Sequence, residues 1–296
     1  MASTNLASVA KRAKLYGDLV MFRHTLFSLP FAGIGALLGA RGIPTGWDTF
    51  WILVAMFGAR NGANALNRLV DKDIDLANPR TRSRHLPQGL VKEWEVLLLV
   101  IVGFSLFVLA AAMLDPLCLL LLPIPLVIFI IYSYTKRFTW LCHYVLGAAS
   151  GGAPVGAWMA VTGRIELPAL VLGAAVALWV AGFDIIYGTL DIKFDRSFGI
   201  HSVPARFGAK RGLQIAALSH LGTIVGLVIT GLWMGLGWMY WIGIVIAAVL
   251  LWWEHRLVSP DNLTHVKLAS YNVNEVLAPL LFGFTLADVL LRWVLV

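Results

Sequence analysis

Residues 49–75 read TFWILVAMFGARNGANALNRLVDKDID. Positions 49–70 match the roughly 20 mostly apolar residues that a membrane-crossing helix needs. The stretch then runs into acids. Asn67, Asp71 and Asp75 recur at i, i+4 and i+8, so on a helix they share one face. Residues 167–195, LPALVLGAAVALWVAGFDIIYGTLDIKFD, repeat the device. There Tyr187, Asp191 and Asp195 keep the same interval, and Asp184 sits three residues before Tyr187. Asp71 and Asp191 are 120 residues apart, as are Asp75 and Asp195, which hints at two related halves.

The rest of the chain fits this reading. Of its 296 residues, 59% are apolar and only 13% are charged, and mean hydropathy is +0.80. Soluble domains are typically about 45–50% apolar and about 25% charged. A soluble enzyme, a disordered protein and a nucleic-acid binder are thereby disfavoured. The expected fold is all-α and polytopic, a single membrane domain over 1–296 with about nine transmembrane helices. The expected spans are 19–40, 49–70, 94–114, 117–135, 142–162, 167–190, 212–234, 237–257 and 273–296. Pro123 and Pro125 predict a kink in the fourth. The ninth carries Glu275, Asp288 and Arg292. The first apolar stretch holds Arg23 and His24 and has no AxA site, so residues 1–18 read as a cytoplasmic tail before a retained helix.

Net charge is +7. Lys and Arg collect in the N-terminal tail and in the loops after the even-numbered spans, which by the positive-inside rule places those segments in the cytoplasm. A prokaryotic plasma membrane suits so compact a chain. Two cytoplasmic loops, 71–92 and 191–211, are rich in both acids and bases, and function is expected there. Cys118 and Cys142 form no CxxC pair. The sequence contains no Walker A motif and no GxSxG elbow. Gly147, Gly151, Gly152 and Gly156 read as a small-residue stripe for close helix packing.

Like charges four apart destabilise a helix unless something neutralises them. Carboxylates near hydrocarbon are costlier still. Oxygen ligands of this kind suit Mg²⁺, which takes one or two carboxylates together with waters and substrate phosphates. Two ladders therefore predict two Mg²⁺ ions around a diphosphate, held by Asn67, Asp71, Asp75, Asp191 and Asp195. Arg80, Arg82, Arg84, Lys136, Arg137 and Lys193 are placed to complement the remaining phosphate oxygens. Arg60 lies inside the second span, where charge is expensive. Two readings stand beside each other for it: a buried ion pair with a residue such as Asp184, or contact with an anion inside the bundle.

At these residues the chain resembles the UbiA superfamily of intramembrane aromatic prenyltransferases. Asn67, Asp71 and Asp75 match the family's first aspartate motif. Arg80, Thr81, Arg84, Leu86, Pro87 and Gly89 match the stretch that follows it. Tyr132, Lys136 and Arg137 match its Y-x-x-x-K-R, and Asp184, Tyr187, Asp191 and Asp195 match its second aspartate motif. Arg60 stands where the family has an arginine before the first motif. The likeness runs from about residue 18 to the C-terminus. Arg68, His85 and His201 depart from the usual pattern, and FRHTLFSLPF and NPRTRSR look closer to the UbiA-like, menaquinone-pathway branch.

The resemblance implies nine helices around a central cavity, an allylic polyprenyl diphosphate donor and an aromatic acid acceptor. That acceptor is one such as 4-hydroxybenzoate, the alternative being 1,4-dihydroxy-6-naphthoate or another non-benzoate acceptor, for ubiquinone- or menaquinone-type quinone synthesis. It also implies catalytic roles for Asp71, Asp191, Asp184 and Tyr187. Diphosphate contacts fall to Arg80, Arg84, Lys136, Arg137 and Lys193, and acceptor contacts to Arg23, His24 and Arg60. An ion-coupled transporter is the rival reading. It predicts charges near the bilayer midplane in both halves, whereas most acids here lie at cytoplasmic span ends.

Overall fold

The computed structural model describes residues 12, 14–20 and 25–295. Its elements are helices, with no strand among the described residues. They are α1 (Thr25–Ala40), α2 (Gly46–Val70), α3 (Lys72–Ala77), α4 (Glu93–Met113), α5 (Pro116–Leu121) and α6 (Pro123–Thr135). There follow α7 (Cys142–Thr162), α8 (Leu167–Gly188), α9 (Ile192–Phe198), α10 (Val203–Met234), α11 (Trp238–Arg256) and α12 (Asn274–Val289). A 3₁₀ turn, Thr189–Asp191, joins α8 to α9, and π turns flank α12 at Leu268–Val273 and Leu290–Val294.

Seven helical stretches among the described residues are long and apolar enough to cross a membrane. They cover expected spans three to nine. The first two expected spans fold as helices but fail that measure for different reasons. α1 has only 16 residues. α2 has 25 residues, about 37 Å at 1.5 Å each, but its apolarity is diluted by Arg60, Asn61, Asn64, Asn67 and Arg68. A helix that turns a polar stripe inward loses hydropathy without losing length.

The expected fourth span breaks at Leu122 into α5 and α6, with Pro123 starting the second piece. A proline cannot donate to the turn before it. The two acid-rich loops are partly helical. α3 occupies the start of 71–92, and α9 and the first turns of α10 lie within 191–211. α9 ends at Gly199, whose φ of 73° lies in the left-handed region. Gly208 (φ 79°) interrupts α10 near its start. The Ser202 hydroxyl caps α10 by accepting from the Ala205 N–H at 3.2 Å.

Packing is closest between α2 and α4, α8 and α10, α7 and α8, and α1 and α7. Trp158, Trp179, Tyr240 and Phe31 anchor the interior. Large apolar side chains such as Leu98, Ile101, Val127, Leu218 and Val245 face outward. That inside-out pattern suits lipid rather than water. Helices in lipid approach through small residues, and the glycine stripe divides accordingly. A Cβ on Gly147 would lie 2.2 Å from the Ala177 carbonyl oxygen, and one on Gly151 would lie 2.3 Å from that of Gly173. Gly152 and Gly156 meet nothing within 4 Å. Half of the stripe is therefore a helix contact. The other half, against expectation, borders open space.

Candidate active site

Asp71 ends α2 and Asp191 ends the turn after α8. Their backbones are nearly alike, with φ −92°, ψ 5° at Asp71 and φ −106°, ψ 5° at Asp191. Each long helix therefore breaks at an aspartate and resumes as a short helix that carries the next acid. At the first joint the i→i+4 ladder survives the break. The Asp71 N–H donates to Asn67 O at 2.9 Å, and the Asp75 N–H donates to Asp71 O at 2.8 Å. The expected single face is thus kept, and the 120-residue repeat has a structural counterpart.

Both joints border one polar cavity of about 270 Å³. Asn67, Asp71, Asp75, Asp184, Tyr187, Asp191 and Asp195 line it, as do Arg60, Arg68, Arg80, Arg84, Lys136, His143 and His201. The acids are held by bases distant in sequence. Lys136 Nζ lies 2.6 Å from Asp71 Oδ2, and Asn67 Nδ2 donates to the same oxygen at 2.9 Å. Arg84 Nη1 reaches both oxygens of Asp75, at 2.6 and 2.7 Å, and Arg68 lies 3.7 Å from that group.

Arg80 grips Asp191 bidentately, its Nε donating to Oδ1 at 2.9 Å and its Nη2 to Oδ2. It also donates to the Tyr187 hydroxyl at 2.6 Å, and Asn78 Nδ2 donates to Asp191 at 3.1 Å. Burial works against the Arg80 charge, but the hydrogen bond to Asp191 and the nearby acidic groups hold its pKa above the ordinary value. The loop after α3 is thereby tied to the second ladder. Asp195 accepts from the Ser202 hydroxyl at 2.8 Å.

The sequence-predicted residues separate into four groups. The five oxygen-ligand candidates, Asp184, Tyr187, Arg60, Arg80, Arg84 and Lys136 share the cavity. Arg137 stands behind it, 3.3 Å from Asp71 Oδ1 and donating to the Val70 and Ser133 carbonyls. Lys193 and Arg82 are exposed and do not line the cavity. Lys193 is two residues from both Asp191 and Asp195, and residues two apart do not share a helix face. Arg23 and His24 lie outside the described residues.

Arg60 does not pair with Asp184. Its Nε is buried without a hydrogen-bond partner among the described residues. Asp184 instead meets His143 Nδ1 at 2.7 Å. His143 carried no signal in the sequence, because a single histidine at the start of an apolar span has neither spacing nor a neighbour to mark it.

Among the described residues, no three His, Cys, Asp or Glu side chains converge as a closed metal cluster. The acids come as one pair per helix joint, which fits a cation that takes one or two carboxylates and completes its shell with water and phosphate. Five carboxylates and five Lys or Arg residues line the cavity, so its formal charge is balanced before any anion enters.

A second, apolar cavity of about 380 Å³ adjoins it. Ser28, Arg60, Asn64, Tyr132, Leu146 and Ser150 border both. Its further walls include Met56, Phe107, Leu121, Ile128, Phe129, Gly152 and Gly156. A charged chamber thus opens beside a greasy one, with Arg60 at the seam.

The model of the UbiA prenyltransferase family matches residues 28–274. The chain belongs to that family. It is accordingly a prenyltransferase and an integral membrane protein. One relative is a 4-hydroxybenzoate octaprenyltransferase from Vibrio campbellii, 32% identical over 285 residues, covering 94% of this chain and 99% of the relative. The apo structure of a UbiA homologue from Aeropyrum pernix superposes with a TM-score of 0.82 at 34% identity, covering 90% of this chain and 98% of that one. A UbiA homologue from Archaeoglobus fulgidus, solved with GPP and Mg²⁺, shares the fold with a TM-score of 0.70 at 17% identity, covering 93% of this chain and 99% of that one.

Proposed function

We propose that this protein transfers a polyprenyl group from an allylic polyprenyl diphosphate to an aromatic acid such as 4-hydroxybenzoate, in the synthesis of a lipid quinone. The observation that carries this reading is the joining of the two cavities. One chamber is lined by paired acids and bases, the other by hydrocarbon, and together they match a donor with a diphosphate head and an isoprenoid tail. The likeness to the Vibrio enzyme along nearly the whole chain supports the acceptor class.

Asn67, Asp71, Asp75, Asp191 and Asp195 would hold the Mg²⁺, two ions by the symmetry of the two joints. Bound there, Mg²⁺ supplies Lewis-acid stabilisation of the departing diphosphate. Arg80, Arg84 and Lys136 donate to phosphate oxygens as charge builds on them. The allylic C–O bond breaks and its electron pair leaves with the diphosphate. The apolar wall keeps water from the resulting allylic cation.

Arg60, at the seam and with a guanidinium Nε that has no partner among the described residues, receives the acceptor carboxylate. Asp184 takes the phenol proton, and the ring carbon ortho to that oxygen bonds to the cation. The proton on that carbon then moves to the oxygen and restores aromaticity, so one proton remains on Asp184 for release. Tyr187, held by Arg80, fixes the wall between the head group and the ring. The polar chamber opens on the cytoplasmic side, where the basic loops lie.

Incubation of detergent-purified protein with geranyl or farnesyl diphosphate tests this reading. 4-Hydroxybenzoate and 1,4-dihydroxy-6-naphthoate are supplied in parallel, with Mg²⁺ or EDTA, and products are read by mass spectrometry. Mg²⁺-dependent prenylated 4-hydroxybenzoate is the expected result. Product from the naphthoate alone would move the acceptor to the menaquinone side. Folded protein that consumes no diphosphate with either acceptor would overturn the proposal.

A further inference from the structure

His143 is buried at the start of α7, against the second aspartate joint. Its ring is engaged on both nitrogens. The Val203 N–H, in the first turn of α10, donates to Nε2 at 3.3 Å. That nitrogen is therefore the acceptor, so the ring proton sits on Nδ1 and is donated to Asp184 Oδ2 at 2.7 Å. The other oxygen, Oδ1, makes no hydrogen bond among the described residues, while Asp184 lines the polar cavity. The ring packs close to the α8 backbone. A Cβ on Gly188, one turn after Asp184, would lie 3.2 Å from His143 Cε1.

The same helix terminus holds another site acid, since Ser202, the cap of α10, donates to Asp195. The N-terminus of α10 thus anchors Asp195 through Ser202 and Asp184 through His143. An aspartate with one oxygen fixed by a buried donor and the other left toward a cavity is an oriented proton acceptor, the arrangement by which an outer partner sets the geometry of a reacting group.

We propose that His143 is a positioning residue for the acceptor half of the reaction: it fixes the direction of the Asp184 carboxylate, so that Oδ1 meets the hydroxyl of the aromatic substrate. This rests on the proposed function. The donor half belongs to the other acids and to Arg80, Arg84 and Lys136, so His143 governs capture of the cation by the ring rather than cleavage of the diphosphate. Without a correctly aimed Asp184 the allylic cation still forms, and water takes it to the prenyl alcohol with release of a proton.

The test uses the full chain with His143→Ala, His143→Asn, Asp184→Asn and the His143→Ala/Asp184→Asn pair, each checked for a wild-type-like melting transition in detergent. Prenylated aromatic, prenyl alcohol and released diphosphate are measured separately over a range of both substrates. His143→Ala is expected to lower kcat for the aromatic product about 10–100-fold. The KM for the diphosphate should hold, and the share of prenyl alcohol should rise. His143→Asn, whose amide N–H can still reach Asp184, is expected to recover most of the loss. The pair is expected to be no worse than Asp184→Asn alone, because coupled residues are not additive.

Three results overturn the inference: an unchanged ratio of aromatic product to alcohol in His143→Ala, equal loss of product and of diphosphate release without rescue by Asn, or additive losses in the pair. If wild-type protein itself makes no prenylated aromatic, the proposed function fails instead.

Discussion

Asp71 shows how much one residue carries. Its carboxylate is buried, yet it faces Lys136, Arg137 and Asn67 at once. Asp191 is held in the same way by Arg80 and Asn78. Replacing either by Asn keeps the shape and one acceptor oxygen but removes the charge that a cation needs. Asp71→Asn and Asp191→Asn are each expected to lower prenyl transfer by at least about 100-fold, with a melting transition close to wild type. A well-folded variant of either kind with near-normal turnover would show that the two joints do not act together. The aspartates were legible in the sequence because their period is local. Their partners were not, since Lys136 and Asp71 are 65 residues apart and Arg80 and Asp191 are 111 apart. Only the folded bundle brings such residues together. Lys193 shows the converse, a base close in sequence to both acids that the helix turns away from them.

Among the elements, α7 shows where a sequence pattern stops short. A small residue every four positions announces a close helix contact, and Gly147 and Gly151 make one with α8. Gly152 and Gly156 follow the same rule by spacing but lie on the face turned to the apolar cavity. Composition alone cannot separate a glycine that admits a neighbour from one that leaves room for a ligand. Substitution can. Gly151→Ala drives a methyl against the Gly173 backbone, and overpacking of this kind costs roughly 1–3 kcal/mol, so a lower melting midpoint in detergent is expected. A Cβ at Gly156 meets nothing within 4 Å and the position borders the apolar cavity, so Gly156→Leu should keep that midpoint. It should instead narrow the donor range, with geranyl diphosphate turned over nearly as before and longer donors turned over several-fold more slowly. An unchanged chain-length profile in a folded Gly156→Leu protein would remove the apolar chamber from the path of the tail. The spans, α2 among them, were legible as apolar stretches; what hydropathy did not show is that the Arg and Asn of α2 form an inward stripe that lets the bundle carry a polar site.

For the molecule as a whole, the deciding quantity is charge. A chain with only 13% charged residues gathers five acids and five bases around one cavity, and their formal charges cancel. Burying so many ions is costly, and most of them persist because they are paired, Arg60 being an exception among the described residues. Such a chamber has no net attraction for a diphosphate, which brings several negative charges of its own. Arg80, Arg84 and Lys136 reach phosphate only by loosening their hold on Asp191, Asp75 and Asp71, and that leaves carboxylates uncompensated in a region of low dielectric. Under the proposed function, a divalent cation held by these acids would resolve the conflict, because the acids would exchange one positive partner for another while the bases turned to the phosphate. Donor binding, and not only turnover, should therefore depend on the metal. With a non-hydrolysable prenyl diphosphate analogue, titrated calorimetrically, affinity is expected to fall at least tenfold, about 1.4 kcal/mol, when Mg²⁺ is replaced by EDTA. Asp71→Asn and Asp191→Asn should lose most of this dependence. Equal affinity with and without Mg²⁺ would mean that the bases alone receive the diphosphate and that the paired acids serve only to keep the empty chamber neutral.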